Sequence, residues 1–271
     1  MKLQLPSFFE HLGAATVLAA MLAAPGVAGA QNIVGGSPTT AFAAVGGGVQ
    51  VTADWVLSVD HLGIGVGSIY TNGFGSRVVQ AVYDAPGSGS SSGAANDVTL
   101  LRLAPAAGAF VSLPVNGDLF ADGTFAALAV TIVSPLNHGP ARGFAYTTVD
   151  EYTTLFDPDD GGPDQPVVAN YLLSHDSAVY VQSGDSGGGL FLGQVSDSTS
   201  PLLALSSAQL ADASNVASGS AFVLLAAYRP WIDSTMTVDP TDGQMVQWVS
   251  AVPEPATALL WAAGLFGLGA W

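Results

Sequence analysis

The run Gln182-Ser183-Gly184-Asp185-Ser186-Gly187-Gly188 holds the residue types best suited to chemistry in this chain. A serine between glycines, with an acid just before it, is poor material for the interior of a strand or helix. Glycine weakens either element and admits backbone shapes that other residues avoid. Such a run suits a turn in which backbone N–H groups converge on one point, and two such amides beside a hydroxyl make an oxyanion hole next to a nucleophile. Gly/Ser/Asp clusters are mostly plain turns, so the reading needs partners elsewhere in the chain. Two stretches supply them: Asp54-Trp55-Val56-Leu57-Ser58-Val59-Asp60-His61, and Asn96-Asp97-Val98-Thr99-Leu100-Leu101-Arg102-Leu103.

Together with Ile33-Val34-Gly35-Gly36, these stretches resemble, in chain order, the mature N-terminus and the histidine, aspartate and serine boxes of the trypsin/chymotrypsin-like serine proteases. The resemblance runs from Ile33 to Ile232. It implies an all-β fold of two six-stranded antiparallel β-barrels with a short C-terminal helix. The first barrel would span residues 33–118 and the second 119–236, within a domain of residues 31–236. It also implies the site: Ser186 as nucleophile, His61 as general base and then acid, Asp97 as the carboxylate that orients the imidazole, and the amides of Gly184 and Ser186 as the oxyanion hole. A freed Ile33 amine would pair with Asp185, after removal of Gln31-Asn32. Counting six residues back from Ser186 places Tyr180 at the base of the substrate pocket, with Ser206, Ala208 and Ser220 along it. No acid stands at that base, which implies a preference for non-basic side chains. Three departures stand out: Asp60 where the family has a small residue, Gly189 in place of a proline, and Ser134-Pro135-Leu136-Asn137-His138-Gly139 in place of a glycine–aromatic–glycine signature.

The elements that must position these groups read as short strands. Phe42 to Leu57 is a series of apolar runs broken by glycine, and Trp55-Val56-Leu57 ends just before His61. Val78–Tyr83 and Val98–Leu103 read as further strands, with the Gly/Ser-rich loop 85–95 between them. Turn residues thicken over Leu113–Asp122, where the two barrels should meet, and Thr124–Val133 should open the second. Leu202–Ser207 should flank the substrate as a strand that an extended peptide can join. A helix should start near Pro230, since proline is tolerated in a first turn. Acids concentrate over Asp150–Asp164. Carboxylates at such spacing could bind calcium, but they lack the spacing and terminal glutamate of an EF-hand loop, so a solvated loop with no metal or cofactor is the favoured expectation there. His138 and the pair His175-Asp176 have no matching motif and read as loop or structural residues.

Composition bounds the rest. The chain has 271 residues, with 5 Lys+Arg against 21 Asp+Glu and a net charge of −16. Such acidity repels phosphate backbones and anionic surfaces, so nucleic acid is not an expected partner. Cysteine is absent, which removes disulfides, thiolate catalysis and zinc–thiolate sites. Residues 1–30 read as a secretory signal helix: Lys2, an apolar run from Gly13 to Ala24, then Ala28-Gly29-Ala30. Residues 237–251 read as a linker. Residues 252–271, Val-Pro-Glu-Pro followed by the apolar run Ala256–Trp271, resemble a PEP-CTERM sorting segment without its basic cluster. As a helix the run reaches about 24 Å, against a bilayer core of about 30 Å. The whole reads as a serine endopeptidase exported to the surface or exterior of a Gram-negative-type bacterium. It would act on polypeptides, meet sorting machinery at its C-terminus and associate transiently with the membrane there. The alternatives are an inactive protease-like binding protein and a surface or biofilm-matrix protein.

Overall fold

The structure, a computed structural model, describes residues 33–86, 96–105, 110, 112–120, 127–135, 141–156, 167–212, 214–239 and 243–250. The expected signal helix 1–30, Gln31-Asn32, most of loop 85–95, His138, the acids Asp157–Asp164 and segment 252–271 lie outside these residues. Among the described residues no helix is long and apolar enough to cross a membrane.

The chain first lays β1 (Ser37–Thr39) along the second barrel and then builds the first. The latter comprises β2 (Val45–Gly46), β3 (Gly48–Gln50), β4 (Trp55–Ser58), β5 (Ile69–Asn72), β6 (Gly75–Asp84) and β7 (Thr99–Leu103), in the order β2-β3-β4-β7-β6-β5. The aliphatic runs around Trp55 and Leu100 form its centre. β4 is buried along its length and pairs antiparallel with β7, Val56 opposite Leu101, as expected of strands rich in branched apolar residues with both faces covered. The two edges of this sheet meet. The Gly73 N–H donates to the Ala43 carbonyl at 2.7 Å, and a Cβ on Gly46 would lie 2.3 Å from the Thr71 carbonyl oxygen. Only glycine admits that approach.

After β8 (Pro114–Asn116) comes the second barrel: β9 (Leu128–Val133), β10 (Arg142–Val149), β11 (Glu151–Phe156), β12 (Val167–Ser174), β13 (Gly189–Leu192), β14 (Leu202–Ala211) and β15 (Ala217–Leu224). Six of these strands run in the order β10-β9-β13-β14-β15-β12. The ends of that row meet where the Asp150 N–H donates to the Leu173 carbonyl (3.0 Å) and the Thr147 and Ser174 hydroxyls bond at 3.1 Å. Two six-stranded antiparallel barrels are therefore present, as expected. β11 is an addition that corrects the expected loop over Asp150–Asp164. Residues 151–156 pair with β12, because the Tyr-Thr-Thr-Leu-Phe run favours a strand and outweighs the acids beside it.

The stretch read as a linker, 237–251, is also partly structured. Helix α1 (Arg229–Val238) has Pro230 in its first turn and buries Ile232 and Met236. Beyond it, β16 (Gln247–Val249) pairs with β8, which in turn touches β14 at Leu202. β8 falls on the predicted inter-barrel turn. Gln244 accepts from the Thr52 hydroxyl and the Asp54 N–H (both 2.9 Å) and donates to the Asp54 carboxylate at 3.0 Å. Trp248 donates to Asp233 at 2.7 Å, and Ser250 to Asp118 at 2.9 Å. Residues 243–250 thus form a strap across both barrels.

A buried arginine joins the barrels from the other direction. Arg142, at the start of β10, is 1% exposed. Its guanidinium donates to the carbonyls of Val45 (2.7 Å), Ala43 (3.3 Å) and Ala41 (3.5 Å) in the first barrel. Burial lowers its pKa from the usual arginine range. Truncating it leaves buried carbonyls unpaired, and an orphaned buried acceptor costs about 1–3 kcal/mol. Arg142→Ala is expected to lower the unfolding free energy by about 3 kcal/mol, read as a fall in urea midpoint at constant m-value. An unchanged midpoint contradicts the clamp.

Candidate active site

Each of the three polar groups stands at the end of an element. His61 lies in the 3-10 turn Asp60–Leu62 just after β4, and Asp97 lies in the turn before β7. Ser186 sits in the glycine-rich turn before β13. The segment carrying Asp97 is tied at both sides: Tyr228 donates to the Asn96 side chain at 3.2 Å, and Ala85 N–H to the Val98 carbonyl at 2.9 Å.

These groups form one hydrogen-bonded line. The Asp97 carboxylate lies 2.8 Å (Oδ2) and 3.0 Å (Oδ1) from His61 Nδ1, and Oδ1 also accepts the His61 backbone N–H at 3.0 Å. His61 Nε2 is 2.8 Å from Ser186 Oγ. An ionised carboxylate only accepts, so Nδ1 carries the proton, Nε2 presents a lone pair, and the Ser186 hydroxyl donates to it. Asp97 is buried and the His61 side chain is 24% exposed. The line therefore runs from a covered acid to an accessible hydroxyl.

Ser207, assigned above only to the substrate strand, completes the acid's shell. Its hydroxyl donates to Asp97 Oδ2 at 2.5 Å and lies 3.4 Å from the Tyr171 hydroxyl. The pairing register of β14 with β15 shifts between Ser206 and Ala208. Ser207 is the extra residue of that bulge, and a bulge re-aims a side chain. Ser206, predicted to line the pocket, does not. It is buried, and both its backbone groups are engaged: its N–H donates to the Gly188 carbonyl (2.8 Å) and its carbonyl accepts from Gly187 (2.9 Å). Ser220 is likewise buried, its hydroxyl accepting the Val181 N–H at 2.9 Å. Ala208 is half-buried against the main core, and the Tyr180 carbonyl accepts the Val34 N–H at 3.0 Å. Among the described residues no group of three or more His, Cys, Asp or Glu is placed to hold a metal ion.

The turn carrying Ser186 depends on its glycines. Gly184 has a φ of +96°, a region that disfavours side chains. A Cβ on Gly188 would sit 2.3 Å from the Val133 carbonyl oxygen. The Asp185 N–H donates to Gln182 and the Gly188 N–H to Asp185, which folds residues 182–188 into successive tight turns. Asp185 itself is fully buried. Its Oδ2 accepts the Gln182 N–H at 2.9 Å, while its Oδ1 has no partner among the described residues. Burial pushes its carboxyl up to about 7, against the lowering effect of that one hydrogen bond. Ile33 is 2% exposed and shares an apolar cluster with Val181, and its neighbour Val34 bridges to Tyr180. The predicted pair thus lies in adjoining segments. Asp60, the departure beside His61, lies beside Asp84. Burial first, then the charges of Asp84 and Asp97, raise its carboxyl from the ordinary value, partly offset by His61.

Two six-stranded barrels, with this line of groups between them, define a trypsin-like double β-barrel. Human heparin binding protein matches it across 79% of this chain and 100% of that one, at 14% identity and a TM-score of 0.51. A mutant of the same human protein matches across 73% and 88%, at 14% identity and a TM-score of 0.49. No protein-family model and no curated protein sequence matches the chain.

Asp185 gives a signed pH dependence. Between its ordinary pKa, near 4, and about 7 the folded protein binds a proton that the unfolded chain has released. Stability therefore falls as pH rises through that window and levels above it. For a shift of this size the full effect is about 4 kcal/mol. Urea unfolding of the chain with residues 31–32 attached should show this slope between pH 4 and 7, and Asp185→Asn should flatten it. Parallel profiles for the two proteins contradict the assignment.

Proposed function

We propose that the protein is a secreted serine endopeptidase acting through Ser186, His61 and Asp97. The observation that carries this reading is the 2.8 Å contact between Ser186 Oγ and a His61 ring whose other nitrogen is held by Asp97. Ser186 Oγ attacks the peptide carbonyl carbon as its proton passes to His61 Nε2. Asp97 stabilises the imidazolium that results. The amides of Gly184 and Ser186 receive the developing negative charge, where losing one donor typically reduces rate about 10²-fold or more. The imidazolium then gives its proton to the departing amine, the C–N bond breaks, and an acyl-enzyme remains. Water, deprotonated by His61, releases the acid and restores the serine.

In this reading Ser207 holds Asp97, and Tyr180 in place of an acid supports non-basic substrates. The unpaired Oδ1 of Asp185 and the nearby burial of Ile33 support activation by a freed Ile33 amine. Export by residues 1–30 and sorting through residues 252–271 belong to the same proposal, on sequence alone. The name of the human structural neighbour carries little weight here: a chain of net charge −16 repels an anionic polysaccharide such as heparin.

Secreted protein should label with a fluorophosphonate probe, and Ser186→Ala should fold with an unchanged unfolding midpoint yet neither label nor hydrolyse peptides. Retained hydrolysis in that variant refutes the assignment, and absence of labelling in the processed wild type favours a non-catalytic binding protein. N-terminal sequencing of the labelled species should return Ile33. Gln31 there would overturn the activation step alone.

A further inference from the structure

The segment that follows His61 is unlike the rest of the chain. Residues 61–76 contain no Asp, Glu, Lys or Arg in a protein with 26 of them. Yet they and the next strand expose large apolar side chains: Leu62 at 36%, Val66 at 69%, Ile69 at 62%, Phe74 at 59% and Val78 at 42%. Single exposed apolar residues need no explanation, but a contiguous group marks a site of contact. Phe74 packs edge to face on Phe110, with ring centroids 5.2 Å apart, while the other four are linked in structure as well as in sequence. Ile69 and Val78 are directly opposite in the β5–β6 pair, so their side chains share one face. The loop 62–67 is stitched to that pair by the Gly67 N–H donating to the Val79 carbonyl (2.9 Å) and the Val79 N–H to the Ser68 carbonyl (2.9 Å). Ile64, half-buried, roots the loop against the cluster of Val56, Tyr70 and Leu101.

Its position relative to Ser186 is also fixed. The Leu62 side chain lies close enough to the nucleophile turn that a Cβ on Gly187 would come within 3.0 Å of it. On the reading above, the amine that departs must lie within reach of His61 Nε2 to be protonated. The polypeptide beyond the scissile bond therefore leaves over the segment that carries His61, while the acyl part lies toward β14 and Ser207. We propose that the strip Leu62, Val66, Ile69 and Val78 receives apolar side chains of an extended polypeptide substrate on the leaving-group side of the scissile bond. The proposal rests on the endopeptidase reading. The charge distribution selects this occupant. An uncharged strip offers nothing to a charged partner, and the acidity of the whole chain repels anionic surfaces. A peptide with apolar side chains is met by matching surface beside the exposed polar residues Thr71, Ser76 and Gln80.

Internally quenched peptides, identical up to the scissile bond and carrying either Leu/Val or Ser/Gln beyond it, test this. Each rate is divided by the same enzyme's turnover of a small activated ester, which has no polypeptide leaving group. The processed wild type should favour the apolar series about tenfold or more in kcat/KM. A Val66→Ser, Ile69→Ser double variant, altered only at exposed positions, should bring the ratio to within about threefold of unity, as expected once that apolar contact is lost. Ester turnover with equal cleavage of both series overturns the strip and leaves the endopeptidase reading intact. Absence of ester turnover and of probe labelling overturns both. Flotation with neutral phosphatidylcholine vesicles completes the test. Vesicle binding that is lost in the double variant, alongside a peptide ratio of unity, assigns the strip to a lipid surface instead and overturns the proposal.

Discussion

The site depends on keeping one carboxylate ionised out of water. Asp97 is buried, and a buried charge is tolerated only when its oxygens are met by donors. It has three: the backbone N–H and Nδ1 of His61, from its own barrel, and the Ser207 hydroxyl, from the other. The same contacts that satisfy the charge fix the imidazole ring and point Nε2 at Ser186. Since Ser186 and Ser207 both belong to the second barrel, the acid is satisfied and the line of groups complete only when the barrels are docked. Satisfying a buried charge and assembling the site are one event.

Docking is correspondingly overdetermined by polar groups. Arg142 reaches from β10 to carbonyls of the first barrel, and the strap 243–250 runs from α1 back to Thr52 and Asp54. The end of α1 is held in the same way, where Asp239 receives both Arg102 and Tyr83 of the first barrel. Such bonds are directional and set a register between two barrels whose apolar contacts alone would permit sliding. In a chain without cysteine, geometry of this kind takes the place of covalent cross-links.

What could be read from the sequence was whatever depends on local composition. β4, β7 and β9 are aliphatic runs, and the turn 182–188 is dense in glycine because Gly184 and Gly188 occupy positions closed to a side chain. Features set by tertiary pairing were harder to read. β11 looked like part of an acidic loop because its two flanks are charged while its strand-forming centre is short. β8 and β16 are three residues each and exist because they pair with one another. Ser207 escaped notice as the partner of Asp97, and Ser206 was placed in the pocket instead, because the one-residue bulge in β14 inverts which serine faces the site. A slip of one residue in a strand exchanges the two faces, and no feature of Leu-Ser-Ser-Ala marks where it occurs. Among the described residues Arg142 has no carboxylate partner, only backbone carbonyls, so no charge pattern in the sequence points to it.

The two buried carboxylates of the site differ in a way that divides it. Asp97 has every donor it needs within the folded chain. Asp185, one residue from Ser186, has a single donor for one oxygen and, among the described residues, none for the other, and its burial makes the neutral form favourable up to about pH 7. A carboxyl in that condition is a site of conditional stability: any cation delivered to Oδ1 is drawn in by the penalty it relieves, and an ion pair so formed stays because separating it would strand a buried charge. On the endopeptidase reading, the line of Asp97, His61 and Ser186 is complete in the folded chain, while the backbone of the turn 182–188, wound around Asp185, is the part that awaits a partner. On that reading, an incomplete element in that turn separates assembly of the fold from the onset of its chemistry, because the polar links between the barrels run through Asp97, Arg142 and the strap and not through Asp185.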